Sequence, residues 1–256
     1  TPAPIAESGM VYNADWVQYA DLQNALSSAV DSQLTQTYSN LLSQTFNARK
    51  KQALDAYQIF FNSTAPSLPN GVTFPSTYLG QRLQMIAKAI QGRAAVGATR
   101  QTFFINWGGW DHHSDVLDNQ AAMLPQVSAA VGAFYNALVA LGVENKVTLF
   151  TISDFGRTLT SNSRGSDHAW GGNQFVVGGA VAGRKIYGSY PSLTLNPESG
   201  PETNPLDTGR GRFIPTTSCD QMFAQLALWL GVSKSNLPLI FPNIGNFYST
   251  SGSAPP

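Results

Sequence analysis

Thr102-Phe103-Phe104-Ile105-Asn106-Trp107-Gly108-Gly109-Trp110-Asp111-His112-His113 is the stretch from which the rest of the chain is read. Its first six residues form a short β-rich apolar run, the right length for a buried strand. The glycine pair ends that run, and Asp-His-His follows directly. Open α/β sheets place their sites at strand carboxyl ends of this kind. Downstream, Asn119 to Leu141 carries an apolar stripe at helical spacing: Met123, Val127, Val131, Phe134, Leu138 and Leu141, with Gly142 as its stop. Pro125 is expected in the first turn, where its missing N–H costs little. Lys146–Ser153 reads as a second strand with Asp154 at its end. A strand–helix–strand unit implies parallel strands and a right-handed crossover, so both carboxyl ends should face the same way.

Working outward, Gln174–Val181 is a third candidate strand, followed by a Gly/Pro-rich stretch to Pro215 without periodicity. A connection that long usually carries function or covers a site. Ser218–Leu230 reads as a helix with Met222, Leu226 and Trp229 facing inward and Gly231 as its stop. Phe241-Pro242-Asn243 is expected to pack back on the domain. Toward the amino terminus, Asp15 to about Phe61 is helical in pattern, as one long or two consecutive helices, with Leu22, Leu26, Val30, Leu34, Tyr38 and Leu41 three or four apart. A loop carrying Pro66, Pro69, Gly71 and Pro75 separates it from a helix over Leu79–Ile90. The fold class expected is α/β, a mostly parallel sheet flanked by helices. Residues 1–78 would form a helical segment with its Pro-rich loop, 79–248 the α/β core, and 249–256 a disordered tail.

Composition narrows the function classes. The chain has 256 residues, and 12% of them are charged, about half the usual share. The formal net charge is +0, so there is no electrostatic reason for a nucleic-acid or anionic-membrane partner. No apolar run approaches the roughly 18 residues needed to span a bilayer. The lone Cys219 cannot form an internal disulfide. The start Thr1-Pro2-Ala3-Pro4 lacks a Met, as expected of a processed or excerpted chain such as a mature exported protein.

All three histidines fall in one stretch, each close to an aspartate: Asp111-His112-His113 and Asp167-His168, with Asp154 between them. Aspartate and neutral imidazole are usual ligands of zinc, manganese or iron, so a metal site is the leading reading, against polar residues on surface loops. Asp111 and His113 lie two apart, which on an extended segment projects both to one side and His112 to the other. His112 then suits an outer hydrogen-bonding or substrate contact better than ligation. His168 could reach the same ion from its Gly- and Ser-flanked loop, leaving a fourth position open for water or substrate. Asp154 could serve a second ion. Arg157 suits a phosphate or sulfate oxygen through its planar fork, or an ordinary loop salt bridge. Asp167 would orient a ligand or cap the loop. Trp107, Trp110 and Trp170 would wall a pocket or pack in the core.

Gly108-Gly109-Trp110-Asp111-His112-His113, Ser153-Asp154-Phe155-Gly156-Arg157-Thr158 and Ser166-Asp167-His168-Ala169-Trp170-Gly171 resemble the GGWDTH, SEFGRT and TDHGWG signatures of a largely uncharacterised family of secreted bacterial proteins. That family is often exported by the twin-arginine route and belongs to the alkaline phosphatase/sulfatase superfamily. The resemblance covers about residues 80–245. It implies an alkaline-phosphatase-like fold, a periplasmic or extracellular location, Asp111, His113 and His168 on one metal, and Asp154 on a second. Position 154 is Asp where the family usually has Glu. Residues 1–100 hold nothing like the family's Gly-Gly-Asn-Asp-Gly strand end, which carries a metal-binding Asp and precedes a Ser or Thr nucleophile. The resemblance therefore implies a C-terminal portion, with the remainder removed, absent or carried on a second chain.

Three functional readings follow. The first is a metal-dependent hydrolase of small phosphate or sulfate esters using zinc, or else manganese, iron or copper. The second is a catalytically inactive secreted protein that keeps the site to bind a metal or a partner. The third is a metal-free structural subunit.

Overall fold

The computed structural model describes residues 20–247; the start of the expected first helix and the expected tail lie outside them. The chain divides into two compact units, Thr1–Asn106 with Pro125–Val143, and Trp107–Leu124 with Glu144–Pro256.

In the first unit, α1 (Ala20–Thr35) and α2 (Leu41–Thr64) are separate helices. The break comes at Asn40, whose extended backbone and side-chain oxygen cap α2 by accepting from the Leu42 and Ser43 amides. Lys51 of α2 reaches both Asp31 of α1 (2.9 Å) and Asp55 (2.6 Å). Of the expected spacing, Leu26 and Leu41 are exposed, while Val30, Leu34, Tyr38, Leu54 and Tyr57 are half-buried, a partly covered face and not a closed core. α3 (Tyr78–Gln91) starts at Thr77, which caps the Gly80 amide, and ends at Gly92. It buries Leu83, Ala87, Ala89 and Ile90.

α4 (Val116–Ala140) begins earlier than its periodicity suggests. Pro125 consequently lies inside the helix rather than in its first turn, where its missing N–H removes one main-chain bond. Of the expected stripe, Phe134 and Leu138 are buried, together with Ala130 and Ala137. By length and composition α4 could cross a bilayer, with a mean hydropathy of 1.3 over its most apolar 18 residues. Only 22% of that window is buried, less than the core helix of a globular domain shows.

The sheet departs most from expectation. Among the described residues strand is confined to four two-residue pieces: β1 (Leu149–Phe150), β2 (Gly156–Arg157), β3 (His168–Ala169) and β4 (Val176–Val177). They form two antiparallel pairs, β1 with β4 and β2 with β3. The mostly parallel, alkaline-phosphatase-like sheet is therefore not formed. Thr102–Trp107 pairs with no strand, and Phe103 and Phe104 are 43% and 76% exposed. A β-rich composition records a fit to a half-buried pleated surface, and without a partner ladder it fixes nothing. The start of Lys146–Ser153 is taken by a 3-10 turn at Glu144–Lys146. What remains pairs with a segment that returns within the same unit, and the pairing is antiparallel.

The core of the second unit lies around α5 (Cys219–Leu230). Ser218 and Gln221 form a reciprocal capping box, and Gly231, at φ 104°, closes the helix in the left-handed region. Ala224, Leu237 and Ile244 are fully buried, with Ala227, Leu228, Val232 and Phe241 packed around them. Leu237 belongs to the single turn α6 (Leu237–Ile240). Trp229, expected inward, is 44% exposed.

Apart from the buried Phe213, the Gly/Pro-rich stretch is held mainly by polar groups. The Asp207 carboxylate, 2% exposed, accepts from the amides of Asn196 (2.8 Å), Gly209 (2.9 Å) and Gly211 (2.9 Å). The Asn196 side chain bridges the Asn204 and Asp207 carbonyls, and Asn204 donates to the carbonyls of Ser192 and Thr194. Buried polar groups are retained when every member is bonded in this way.

Candidate metal centre

The site lies wholly in the second unit and is built from two segments. One is the β2–β3 hairpin, in which Arg157 stands directly opposite His168. Opposed residues share a sheet face, so this register places both side chains on one side. Gly156 stands opposite Ala169, where a Cβ would lie 1.8 Å from the Gly171 carbonyl oxygen. Only glycine permits that approach.

The connecting loop folds on itself. Thr158 donates its amide to Asp167 and accepts the Asp167 amide on its hydroxyl. Asn162 and Gly165 exchange two hydrogen bonds of 3.0 and 2.9 Å. Gly165 then seats against the second segment, residues 109–115. A Cβ on it would meet the His113 carbonyl carbon at 2.4 Å and the His112 oxygen at 2.5 Å. The Asn162 amide donates to the His113 carbonyl (3.2 Å), and the Ser166 amide to that of His112 (3.4 Å).

Residues 110–113 do not end a strand. The His112 amide bonds the Trp110 carbonyl and the His113 amide that of Asp111, at 3.0 and 3.1 Å. These two-residue turns send Asp111 and His113 to solvent and His112 inward. His112 is 5% exposed; its Nε2 donates to the Gly109 carbonyl at 2.7 Å, and its buried Nδ1 has no partner among the described residues. Trp110 stacks edge-on with Trp107 at 5.3 Å and lies 6.1 Å from the His112 ring.

Three side chains converge on a single oxygen, Asp111 Oδ1: Arg157 Nη1 at 2.8 Å, His168 Nε2 at 2.9 Å and His113 Nδ1 at 3.0 Å. The imidazoles are neighbours, 4.9 Å between centroids, and Phe155 stacks flat on His168 at 4.0 Å. The Arg157 hydrogen bond, and after it that of His168, holds the Asp111 carboxyl below the usual carboxylate range. Asp167 is lowered as well, first by the Asn162 hydrogen bond and then by Arg210, whose Nη2 is 2.7 Å away.

The ligand atoms of Asp111, His113 and His168 all lie within 4.8 Å of one another. One carboxylate oxygen and two imidazole nitrogens are a donor set that suits a divalent transition metal and leaves a position open. An acceptor oxygen has about two lone-pair directions. Arg157 and His168 occupy both through hydrogen bonds, and the His113 nitrogen lies beside the same oxygen as an ion-pair neighbour.

Of the other expected site residues, Asp154 is exposed and its carboxylate does not fall within that group. Arg157 is committed within the protein: besides Asp111, it donates from Nε to Ser166 Oγ (2.8 Å) and from Nη2 to the Ser166 carbonyl. Trp170 is 63% exposed. Asn162 and Arg210 are not anticipated from the sequence. The Ser161-Asn162-Ser163-Arg164-Gly165 composition was the available signal for the first, and glycines on both sides of Arg210, at φ 60°, for the second.

No curated protein and no solved structure matches the chain. Residues 2–207 match the family described as Protein of unknown function (DUF1501). With most of its length inside that match, the chain belongs to the DUF1501 family.

Proposed function

We propose that Asp111, His113 and His168 hold a divalent transition metal, zinc before manganese, iron or copper, in an exported protein related to metal-dependent hydrolases of phosphate or sulfate esters. The observation that carries the metal is the grouping of these three ligand atoms within 4.8 Å. The reaction class rests on the three sequence motifs. Kinship with the alkaline phosphatase/sulfatase superfamily rests on them too, and not on the fold. A metal bound here would supply Lewis acidity toward an ester oxygen. Phe155 keeps the His168 ring in plane, and Gly165 holds the His112-His113 backbone against the loop that carries His168.

A second reading, a metal-binding protein without catalysis, has its own support. Ser153 Oγ donates to the Phe155 carbonyl, Thr158 Oγ1 to that of Thr160, and Ser166 Oγ accepts from Arg157. Among the described residues, none of these hydroxyls is hydrogen-bonded to a histidine or carboxylate side chain that could activate it.

Elemental analysis of protein purified without added metal or chelator tests the metal, and a panel of phosphate and sulfate esters tests the reaction. Near-stoichiometric metal, lost in His113→Ala and His168→Ala, is expected. A folded wild type that takes up no zinc, manganese, iron or copper would sink both readings. Metal without turnover of any ester would leave the second.

A further inference from the structure

We infer that Arg157 is a positioning residue that holds Asp111 for the ion, rather than the group that meets an anionic ester. This rests on the metal reading above. Its side chain is 17% exposed, whereas those of Asp111, His113 and His168 are about half exposed. A residue that receives substrate would be the more open one.

Its bonds also connect the two segments of the site. Nη1 grips Asp111, while Nε and Nη2 grip the hydroxyl and carbonyl of Ser166, two residues before His168. The guanidinium is a planar, pre-organised fork, so these contacts set the spacing between the carboxylate and the strand that carries an imidazole. Across the hairpin Arg157 already pairs in register with His168.

The three nitrogen-bearing neighbours of Oδ1, two of them hydrogen-bonded to it, are not equivalent. An imidazole nitrogen can serve either the carboxylate or an ion, by donating a proton or offering a lone pair. Guanidinium has no lone pair to offer and can serve only the carboxylate. Arg157 is therefore the partner of Asp111 that an arriving ion has no reason to displace. Outer partners of this kind orient metal ligands, and their loss typically costs about 10–100-fold in affinity.

The test uses the full chain as wild type, Arg157→Lys, Arg157→Gln and Ser166→Ala. Zinc affinity is measured by chelator competition, the cobalt complex by its visible absorption, and folding by melting without metal. Both Arg157 variants should bind zinc about 10–100-fold more weakly, with an altered cobalt spectrum. Lysine should not rescue, because one nitrogen cannot span Asp111 and Ser166. Ser166→Ala, which removes a single bond, should show a smaller loss in the same direction and decides the matter if the Arg157 variants do not fold. Variants that bind zinc as tightly as wild type, or tighter, would overturn the inference and leave the metal reading intact. A wild type that binds neither zinc nor cobalt would overturn both.

Discussion

Gly165→Ala tests how the site is assembled without touching a ligand. The new Cβ would fall 2.4 Å from the His113 carbonyl carbon and 2.5 Å from the carbonyl oxygens of His112 and His113. Ordinary contact begins near 3.4 Å, so the loop and the Asp-His-His segment must separate by roughly 1 Å, and no flexible side chain is there to yield. Overpacking of this kind costs about 1–3 kcal/mol of stability. A metal site tolerates about 0.2 Å in its ligand distances, so separating His168 from Asp111 and His113 should weaken metal binding at least about tenfold, or roughly 1.4 kcal/mol. Gly172→Ala is the control, because its Cβ would meet only ordinary contacts at 3.8 and 3.9 Å. Melting temperature and zinc affinity would be read on both variants. Gly165→Ala matching wild type in both would refute the close seating of loop on segment.

Asp207→Ala should be the most destabilising of the remaining changes. It leaves the amides of Asn196, Gly209 and Gly211 without an acceptor, at about 1–3 kcal/mol each, so a loss below about 2 kcal/mol in urea unfolding would contradict it. Ser218→Ala removes half of the capping box on α5 and should cost about 1 kcal/mol, read as a lowered urea midpoint. Asp167 has a folded-state pKa below its ordinary value, so its stabilisation is present above the usual carboxylate range, near 3.9, and is lost as pH falls through the lowered value. With chelator present, Asp167→Asn should melt with a shallower acid dependence than wild type below about pH 4; identical acid limbs would count against the ion pair with Arg210.

The helices were legible because their ends are written locally. Thr77 and Gly92 bracket α3, and Ser218 and Gly231 bracket α5, each through a bond to residues a few positions away. The strands were not. An apolar run such as Thr102–Trp107 or Lys146–Ser153 says nothing about its partner, and pairing is decided by segments far along the chain. Asp154 enters the expected site through parallel strand ends and through the family motifs, and antiparallel pairing removes the first of these routes. The approach of Asp111, His113 and His168 to one another was expected from residue type, spacing and the family motifs, although turns and not an extended segment bring it about. The commitment of Arg157 was not, because a planar cation suits an ester anion and a neighbouring carboxylate equally well. Arg210 and the bonds of Asp207 lie in a stretch without periodicity, where sequence pattern has no purchase.

That stretch has a consequence for how the chain reaches its final form. The bonds joining Asn196, Asn204 and Asp207 to one another and to Ser192 and Thr194 span only 8 to 12 residues. Closing a loop of about 10 residues takes on the order of 10–100 ns and loses little chain entropy. This polar knot can therefore close from its own residues, without waiting for distant strands to meet. Once closed, it presents Gly211 and Arg210 to the hairpin, where their carbonyls receive the Leu159 and Thr160 amides. A segment without sequence periodicity is thus a local, low-contact-order element on which slower pairing can build.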